Sequence, residues 1–334
     1  MARWIIRKGT KKSGFRYVRD DGRPVAGDER VRITKLGIPP AWRDVHIAAS
    51  SRTAIQAWGY DARGRKQYRY HATAVKRREL RKHYRVRQLA RDLPRLRASL
   101  ERDSKRRGFS RAKVAAVVVR LIAEGFFRVG TDRYALENRT FGITTLRKSH
   151  VEVKRGLIVL AYHGKLRRQQ RHVVADPGLV RLIRQMLRTP GPRLFRYETD
   201  AGWRDLTSRD VNEYLEAAAG FPYTAKDLRT WGGTLRAATV LAELGTPASD
   251  REAKKNALTA VRLVAAELGN TPAICRASYV HPEVLQRYLK ARETIRVRSP
   301  QARPPTAGQS PEERALINFL DEHFPERRKR RRAG

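Results

Sequence analysis

Five short segments contain the residue types that could do chemistry, and they follow one another in a fixed order. They supply an arginine, a lysine, a second arginine, an asparagine and a tyrosine, in Phe126-Phe127-Arg128-Val129-Gly130, Gly164-Lys165, Lys226-Asp227-Leu228-Arg229-Thr230-Trp231-Gly232, Gly269-Asn270-Thr271-Pro272 and Arg276-Ala277-Ser278-Tyr279. Arginine and lysine commonly contact phosphates, and a tyrosine hydroxyl can act as a nucleophile. Taken singly, each cation could be a surface charge and Tyr279 a packing residue. Only the ordered set supports a functional argument.

Most common catalytic motifs are missing from the sequence. It has no GxxxxGK[ST] phosphate loop, no HExxH, no nucleophile elbow and no dinucleotide-binding glycine pattern. ATP use through a phosphate loop is therefore unsupported, and carboxylate clusters for two-metal phosphodiester chemistry are not evident. The 8 histidines lack metal-ligand spacing, and the 1 cysteine, Cys275, cannot form an internal disulfide. We expect no structural metal.

The charge balance predicts a polyanionic partner. The chain has 73 lysines and arginines against 33 acidic residues, a net charge of +40, and the excess is spread along its length. Charge of one sign repels itself in a compact protein, so a neutralising partner is expected. The sequence predicts nucleic-acid binding that falls steeply with salt. Since no long apolar run or apolar leader is present, we expect neither a membrane span nor export.

The first part of the chain predicts a small β-rich domain. Short β segments are expected at Trp4 to Arg7, Phe15 to Arg19, Arg32 to Thr34 and Val45 to Ala48, separated by turn residues. A very basic helical pattern then runs from His71 to about Arg102, and Pro94 is expected to kink or break it.

The second part must position the five segments. Ser110 is the predicted N-cap of a core helix that ends near Gly125, just before Arg128. Residues 141–174 predict a three-stranded antiparallel sheet, with Lys165 at or beside the tip of its second hairpin. The remainder predicts helices at roughly 176–188, 208–219, 224–243, 250–268, 272–279 and 281–296.

The predicted fold class is α+β, in three parts. Residues 1–75 form a small, mainly antiparallel β domain, and residues 76–298 a larger, mainly α-helical catalytic domain that carries the three-stranded sheet. Residues 299–334 comprise a proline-rich linker, a short helix at 312–324 and a basic run from Arg327 to Arg332.

The ordered segments together resemble the type IB DNA topoisomerases of the poxvirus and bacterial branch, which have a tyrosine recombinase-like catalytic domain. The resemblance covers roughly residues 30 to 290. It includes Ile33-Thr34-Lys35-Leu36-Gly37-Ile38-Pro39-Pro40-Ala41-Trp42, Gly64-Arg65-Lys66-Gln67-Tyr68-Arg69-Tyr70-His71, Glu137-Asn138-Arg139-Thr140-Phe141-Gly142 and Lys148-Ser149-His150-Val151. Several ordered segments are far more specific than any one of them.

The resemblance implies a role for each of the five residues. Tyr279 corresponds to the nucleophile that attacks the scissile phosphorus, leaving a 3′-phosphotyrosyl link and a free 5′-hydroxyl. Arg128 and Arg229 correspond to the arginines that hold the non-bridging oxygens, and Lys165 to the general acid for the departing oxygen. Asn270 stands where some members have histidine. Its amide can donate to an oxyanion but cannot exchange a proton at neutral pH.

The resemblance also implies partners and a setting. Arg65, Gln67, Tyr68 and Tyr70 fall in a stretch that touches DNA in the family. The implied activity, that of an isomerase, is ATP-independent relaxation of supercoiled duplex DNA by a monomer that closes around DNA as a C-shaped clamp. No cofactor is required, and divalent ions at most speed product release. The expected setting is the cytoplasm of a bacterial host, in association with the nucleoid.

Two other functions share part of this pattern. A tyrosine recombinase or integrase uses a similar residue set, but commonly has His-x-x-Arg at the second arginine, where this chain has Lys226-Asp227-Leu228-Arg229. An architectural DNA-binding protein would have the same charge and basic helices. It would not form a covalent adduct that is lost when Tyr279 becomes phenylalanine.

Overall fold

The chain divides into two compact units, residues 1–82 and 83–334. The computed structural model describes residues 4–297 and 308–324. The first unit is an antiparallel sheet of strands β1 (Trp4–Thr10), β2 (Gly14–Arg19), β3 (Arg43–Ala48), β4 (Ile55–Tyr60) and β5 (Lys66–Tyr70), with helix α1 (Gly27–Lys35) between β2 and β3. The strand order is β2-β1-β3-β4-β5. The predicted β-rich start of the chain is confirmed.

The expectation of a strand at Arg32 to Thr34 is wrong, because these residues lie in α1. Asp28 and Glu29 occupy the first turn of this helix, and Arg32 and Lys35 the last. Charges in those positions complement the helix dipole, which favours a helix over an edge strand. Ile33 is buried in the small core of this unit with Val25, from the connection between β2 and α1, and with the sheet residues Ile5, Val45, Ile47 and Ala57.

Helix α2 (Ala72–Ser104) begins in the first unit and continues into the second. The predicted break at Pro94 is wrong, since the helix is uninterrupted there. Proline cannot donate a backbone hydrogen bond to the carbonyl four residues earlier, which is that of Ala90. The amide of Gln309 donates to that oxygen instead, at 2.7 Å. A residue distant in sequence therefore satisfies the carbonyl that Pro94 leaves free.

Within its described residues, the second unit is mainly helical and has two small sheets. Its further helices are α3 (Arg111–Gly125), α4 (Asp132–Asn138), α5 (Pro177–Leu187), α6 (Ser208–Ala219), α7 (Ala225–Leu244), α8 (Asp250–Leu268), α9 (Pro272–Ser278), α10 (Pro282–Ala291) and α11 (Pro311–His323). Its strands are β6 (Val151–Lys154), β7 (Leu157–His163), β8 (Gln169–Val174), β9 (Arg196–Thr199) and β10 (Gly202–Asp205). The α+β class is thereby confirmed.

The predicted elements of this unit recur with small shifts at their ends. Strands β6, β7 and β8 form the expected antiparallel sheet in that order. The Ser110 side chain caps α3 by accepting from the backbone N–H of Lys113 at 3.3 Å. The hairpin of β9 and β10 was not predicted. The predicted C-terminal helix is α11, whereas residues 299–307 of the linker and the basic run 327–332 lie outside the described residues.

Candidate active site

Tyr279 lies immediately after α9, and its backbone is held by α7. Its N–H donates to the carbonyl of Cys275 at 2.9 Å, which ends the helix. Its own carbonyl lies 3.2 Å from the hydroxyl of Thr234 in α7, whose single proton is shared with the carbonyl of Thr230 at 2.8 Å. That hydroxyl also accepts from the backbone N–H of His281 at 3.1 Å. One buried threonine therefore fixes the chain on both sides of Val280, and with it the start of the Tyr279 side chain.

Arg229 reaches Tyr279 from the first half of α7. Its guanidinium carbon lies 5.4 Å from the centroid of the Tyr279 ring, and the residue is 3% exposed. The Nη2 atom donates to the carbonyl of Leu268 at 3.0 Å. Burial lowers the pKa of Arg229 below its ordinary value, and the neighbouring charge of Arg128 acts in the same direction. Nε has no partner among the described residues, so this buried cation retains a donor for an anion.

Arg128 reaches the same place from the end of α3. The chain turns there through Phe126, which has a left-handed conformation with φ of 54°. The Nη2 atom of Arg128 donates to the carbonyl of Gly269 at 2.9 Å and to Oδ1 of Asn270 at 2.6 Å. Because a guanidinium can only donate, the amide oxygen of Asn270 must face it. The Nδ2 atom of Asn270 is left buried and, within the part of the chain that the structure describes, without a partner.

Both arginines are anchored at the carboxyl end of α8. Arg229 binds the carbonyl of Leu268 and Arg128 that of the next residue, Gly269. The last carbonyls of a helix carry partial negative charge and lack partners within the helix. Gly269 ends α8 with a φ of 61°, and Asn270 follows directly. One helix end therefore brings two cations and one amide donor together beside Tyr279.

Two adjacent glycines in α7 let the parts of this site approach each other. A methyl group placed on Gly233 would lie 2.9 Å from the carbonyl oxygen of Tyr279. One placed on Gly232 would lie 2.1 Å from the ring of Phe126. Any larger residue would have to displace the segment that carries Tyr279 or the segment that leads to Arg128.

Strands β7 and β8 form one wall of the site, and its polar residues were not predicted. The Tyr162 hydroxyl lies 3.4 Å from Nε2 of His172, whose ring stacks on Phe127 at 4.0 Å. Burial lowers the pKa of His172 to about 4, and the charges of Arg229 and Arg128 add to this shift. Strand alternation was the available signal, since Tyr162 and His172 fall on the inward face with Leu160 and Val174.

Lys165 is the one predicted catalytic residue that the structure does not bring to the others. It lies in the connection between β7 and β8, as predicted, and is exposed. Among the described residues it makes no hydrogen bond or ion pair with Arg128, Arg229, Asn270 or Tyr279. The connection is closed by a hydrogen bond of 2.8 Å from the N–H of Gly164 to the carbonyl of Arg168. Leu166 and Arg167 have left-handed φ values of 61° and 56°.

The four predicted DNA contacts fall into two pairs. Arg65 and Gln67 donate to the Asp61 carboxylate at 2.8 and 3.0 Å, and the hydrogen bond from Arg65 lowers the pKa of Asp61 to about 2. Tyr68 and Tyr70 are 40% and 43% exposed, and their rings stack with centroids 5.9 Å apart. The tyrosines are therefore available to a partner, whereas Arg65 and Gln67 already share an acidic neighbour.

Residues 69–303 match the family model of the catalytic core of eukaryotic DNA topoisomerase I. Residues 14–61 match that of the N-terminal domain of bacterial DNA topoisomerase IB. The chain belongs to the type IB DNA topoisomerase family. All five predicted catalytic residues of this type IB topoisomerase lie within the first match, and α11 lies beyond it.

Viral relatives support the same assignment. This type IB topoisomerase is 31% identical to DNA topoisomerase 1B of Acanthamoeba polyphaga mimivirus, over 83% of this chain and 86% of that one. It is 25% identical to DNA topoisomerase 1B of Vaccinia virus (strain Copenhagen), over 68% of this chain and 70% of the relative.

A XerH site-specific recombinase bound to palindromic difH substrate aligns over 59% of this chain and 49% of its own, with 17% identity and a TM-score of 0.38.

Within residues 4–297 and 308–324, no group of three or more histidine, cysteine, aspartate or glutamate side chains could hold a metal ion. No described helix is long and apolar enough to cross a membrane.

Proposed function

We propose that the protein relaxes supercoiled duplex DNA without ATP, by cutting and rejoining one strand through Tyr279. The observation that carries this proposal is the convergence of Arg229, Arg128 and Asn270 at the end of α8, beside Tyr279. Among the described residues, Nε of Arg229 and Nδ2 of Asn270 are buried donors without a hydrogen-bond partner. Donors arranged before the reaction stabilise charge that develops on phosphate oxygens.

In the proposed reaction the phenolic proton of Tyr279 passes to solvent water, and the Tyr279 oxygen attacks the scissile phosphorus so that a new O–P bond forms. The bond from phosphorus to the 5′-oxygen breaks, and that oxygen takes a proton from Lys165 and leaves as a hydroxyl. The two arginines and the Asn270 amide hold the non-bridging oxygens as negative charge builds on them. Rejoining is the reverse. Because the phosphotyrosyl bond replaces a phosphodiester bond, no nucleotide is needed to reseal the strand.

Several finer features belong to the same proposal. The net charge of +40 supports a duplex DNA partner, with the exposed rings of Tyr68 and Tyr70 among the contacts. A single copy of the chain holds all five catalytic residues, which supports a monomer. Neither a nucleotide nor a metal is required by the reaction as written. We place the protein on the bacterial nucleoid.

The test is relaxation of supercoiled plasmid by the purified protein in EDTA without nucleotide, beside Tyr279→Phe. A denaturing trap reports the covalent adduct. Tyr134→Phe serves as a matched control, because Tyr134 is an exposed tyrosine. Wild type and control should relax the plasmid and form the adduct, and Tyr279→Phe should bind DNA but do neither. Dependence on ATP, loss of activity in EDTA or an adduct in Tyr279→Phe would refute the proposal.

A further inference from the structure

Gln170 occupies the inward face of β8, directly after the connection that carries Lys165. It pairs with Tyr162 of β7. Because side chains alternate along a strand, Gln170 shares a face with His172 and Val174. Its neighbour Gln169 lies on the opposite face and is exposed. Gln170 is thus the first inward residue of β8 after the Lys165 connection.

The Gln170 side chain contacts two glycines that are far apart in sequence. A methyl group placed on Gly164 would lie 2.8 Å from Cγ of Gln170. One placed on Gly269 would lie 2.5 Å from Oε1 and 3.1 Å from Nε2. Each glycine immediately precedes a residue of the proposed reaction, Lys165 and Asn270 respectively. One side chain therefore lies against both segments.

The Lys165 connection has few other restraints. Side chains of residues 165–168 make no hydrogen bond or ion pair within the described part of the chain. Leu166 and Arg167 have left-handed conformations, which cost free energy for residues other than glycine. The turn containing Asn270 is restrained, since Arg128 binds both Gly269 and Asn270. A contact to that turn would transmit its rigidity to the connection.

We propose that Gln170 is a positioning residue, which packs the connection carrying Lys165 against the turn of Gly269 and Asn270. The proposal rests on the proposed function, because it gives Lys165 the role of proton donor. Gln170 itself touches neither the phosphate nor the leaving oxygen. It limits the places that the Lys165 ammonium can occupy, so that the proton is near the 5′-oxygen when the bond to phosphorus breaks.

The chemical test compares two DNA strands, one with the natural 5′-oxygen at the scissile bond and one with sulfur in its place. In both, the Tyr279 oxygen bonds to phosphorus as the bond to the leaving atom breaks. Oxygen needs the proton from Lys165, whereas sulfur leaves as a stable thiolate without one. Gln170→Ala should slow cleavage of the oxygen strand about tenfold or more and that of the sulfur strand less than about twofold. Asn270→Ala should slow both.

The matched control is Gln169→Ala, which should behave as wild type on both strands. Gln170→Met keeps the length of the side chain without its amide and is expected to restore most of the rate, since packing carries the contact. If Gln170→Ala does not fold, Gln170→Ser takes its place, since it also removes the packing contact and should show the same difference between the two strands. Equal slowing of both strands by Gln170→Ala, or no slowing of either, would overturn the proposal.

A second measurement reports the position of the connection without catalysis. Trypsin cuts after lysine and arginine, and Lys165, Arg167 and Arg168 are all exposed. Gln170→Ala should raise the rate of cutting there severalfold relative to cutting at Arg155, in the turn between β6 and β7. An unchanged ratio would reject the proposal. If the wild-type protein cleaves neither strand, the proposed function is refuted. The trypsin ratio would still show whether Gln170 holds the Lys165 connection in place.

Discussion

Arg128 donates a hydrogen bond of 2.6 Å from its Nη2 atom to the amide oxygen of Asn270. This bond orients the amide, so that its buried NH₂ group remains for another acceptor. In the proposed reaction that acceptor is a non-bridging phosphate oxygen. The proposed reaction therefore gives Asn270 two functions, as the acceptor that fixes Arg128 and as a donor to the phosphate.

Substitutions at Asn270 should separate these two functions. Asn270→Asp keeps the acceptor for Arg128 but removes the donor and adds a negative charge beside the phosphate. Loss of one such donor costs about 10²- to 10³-fold in rate, and we expect Asn270→Asp to lose more than Asn270→Ala. Asn270→His keeps a ring N–H donor and should retain the most activity. The measurement is single-turnover formation of the covalent adduct. Equal rates for the aspartate and histidine variants would contradict this assignment.

Gly233→Ala should be destabilising although it lies within a helix. Helix propensity alone favours alanine by about 1 kcal/mol. The added methyl group would lie 2.9 Å from the Tyr279 carbonyl oxygen, and overpacking of this kind typically costs about 1–3 kcal/mol. We expect a net loss of free energy of unfolding in denaturant titrations, together with slower adduct formation, because the Tyr279 backbone must move.

Gly232→Ala is the matched comparison, since the same change is made one residue earlier. Its methyl group meets the Phe126 ring rather than Tyr279. The Phe126 ring can shift, and the chain segment that leads from α3 to Arg128 would shift with it. A stability gain in Gly233→Ala without any effect on adduct formation would show that α7 and Tyr279 are not in close contact.

Protonation of His172 should destabilise the protein in mild acid. The pKa of its ring is lowered by burial to about 4, from an ordinary value of 6.5. As the pH falls through about 6.5, the unfolded chain takes up a proton here and the folded protein does not. The contribution of His172 to the free energy of unfolding is therefore fully present above about pH 6.5. It is lost progressively as the pH decreases toward 4. From about pH 7 to about pH 5 the loss is about 2 kcal/mol.

His172→Gln isolates this contribution, because glutamine accepts a hydrogen bond from Tyr162 but does not titrate in this range. Urea unfolding at both pH values should show a smaller acid destabilisation for the variant than for wild type, by about 2 kcal/mol. The same pH dependence in both proteins would mean that the pKa of His172 is the same in the folded and the unfolded protein.

Local sequence patterns predicted the elements that depend on neighbouring residues. Alternation located β6, β7 and β8, and the Ser110 cap located α3, since both signals lie within the element itself. The continuity of α2 through Pro94 could not be predicted this way. The donor that satisfies Ala90 is Gln309, which is brought there only by the tertiary fold.

For the site as for the fold, the sequence indicated some residues and left out those that only the tertiary structure brings together. The family resemblance carried by the five ordered segments implied Arg128, Arg229, Asn270 and Tyr279, which the structure places together. The support they receive from Leu268, Thr234 and Gln170 was not predicted, because backbone acceptors and packing residues have no sequence motif. The separation of Gln67 from Tyr68 follows from strand alternation, but only after the strand is known.

Helix α11 should contribute strongly to stability although it lies beyond the matched catalytic core. Its Leu316 and Leu320 are fully buried, and Glu313 accepts two hydrogen bonds of 2.8 Å from Arg97 of α2. Leu316→Ala should lower the free energy of unfolding by about 2–5 kcal/mol, the usual cost of a cavity in a packed core. The control is Asn318→Ala, an exposed position in the same helix, with an expected change within about 0.5 kcal/mol. Denaturant unfolding measures both changes. Equal stability of the two variants would show that α11 is not packed against the rest of the second unit in solution.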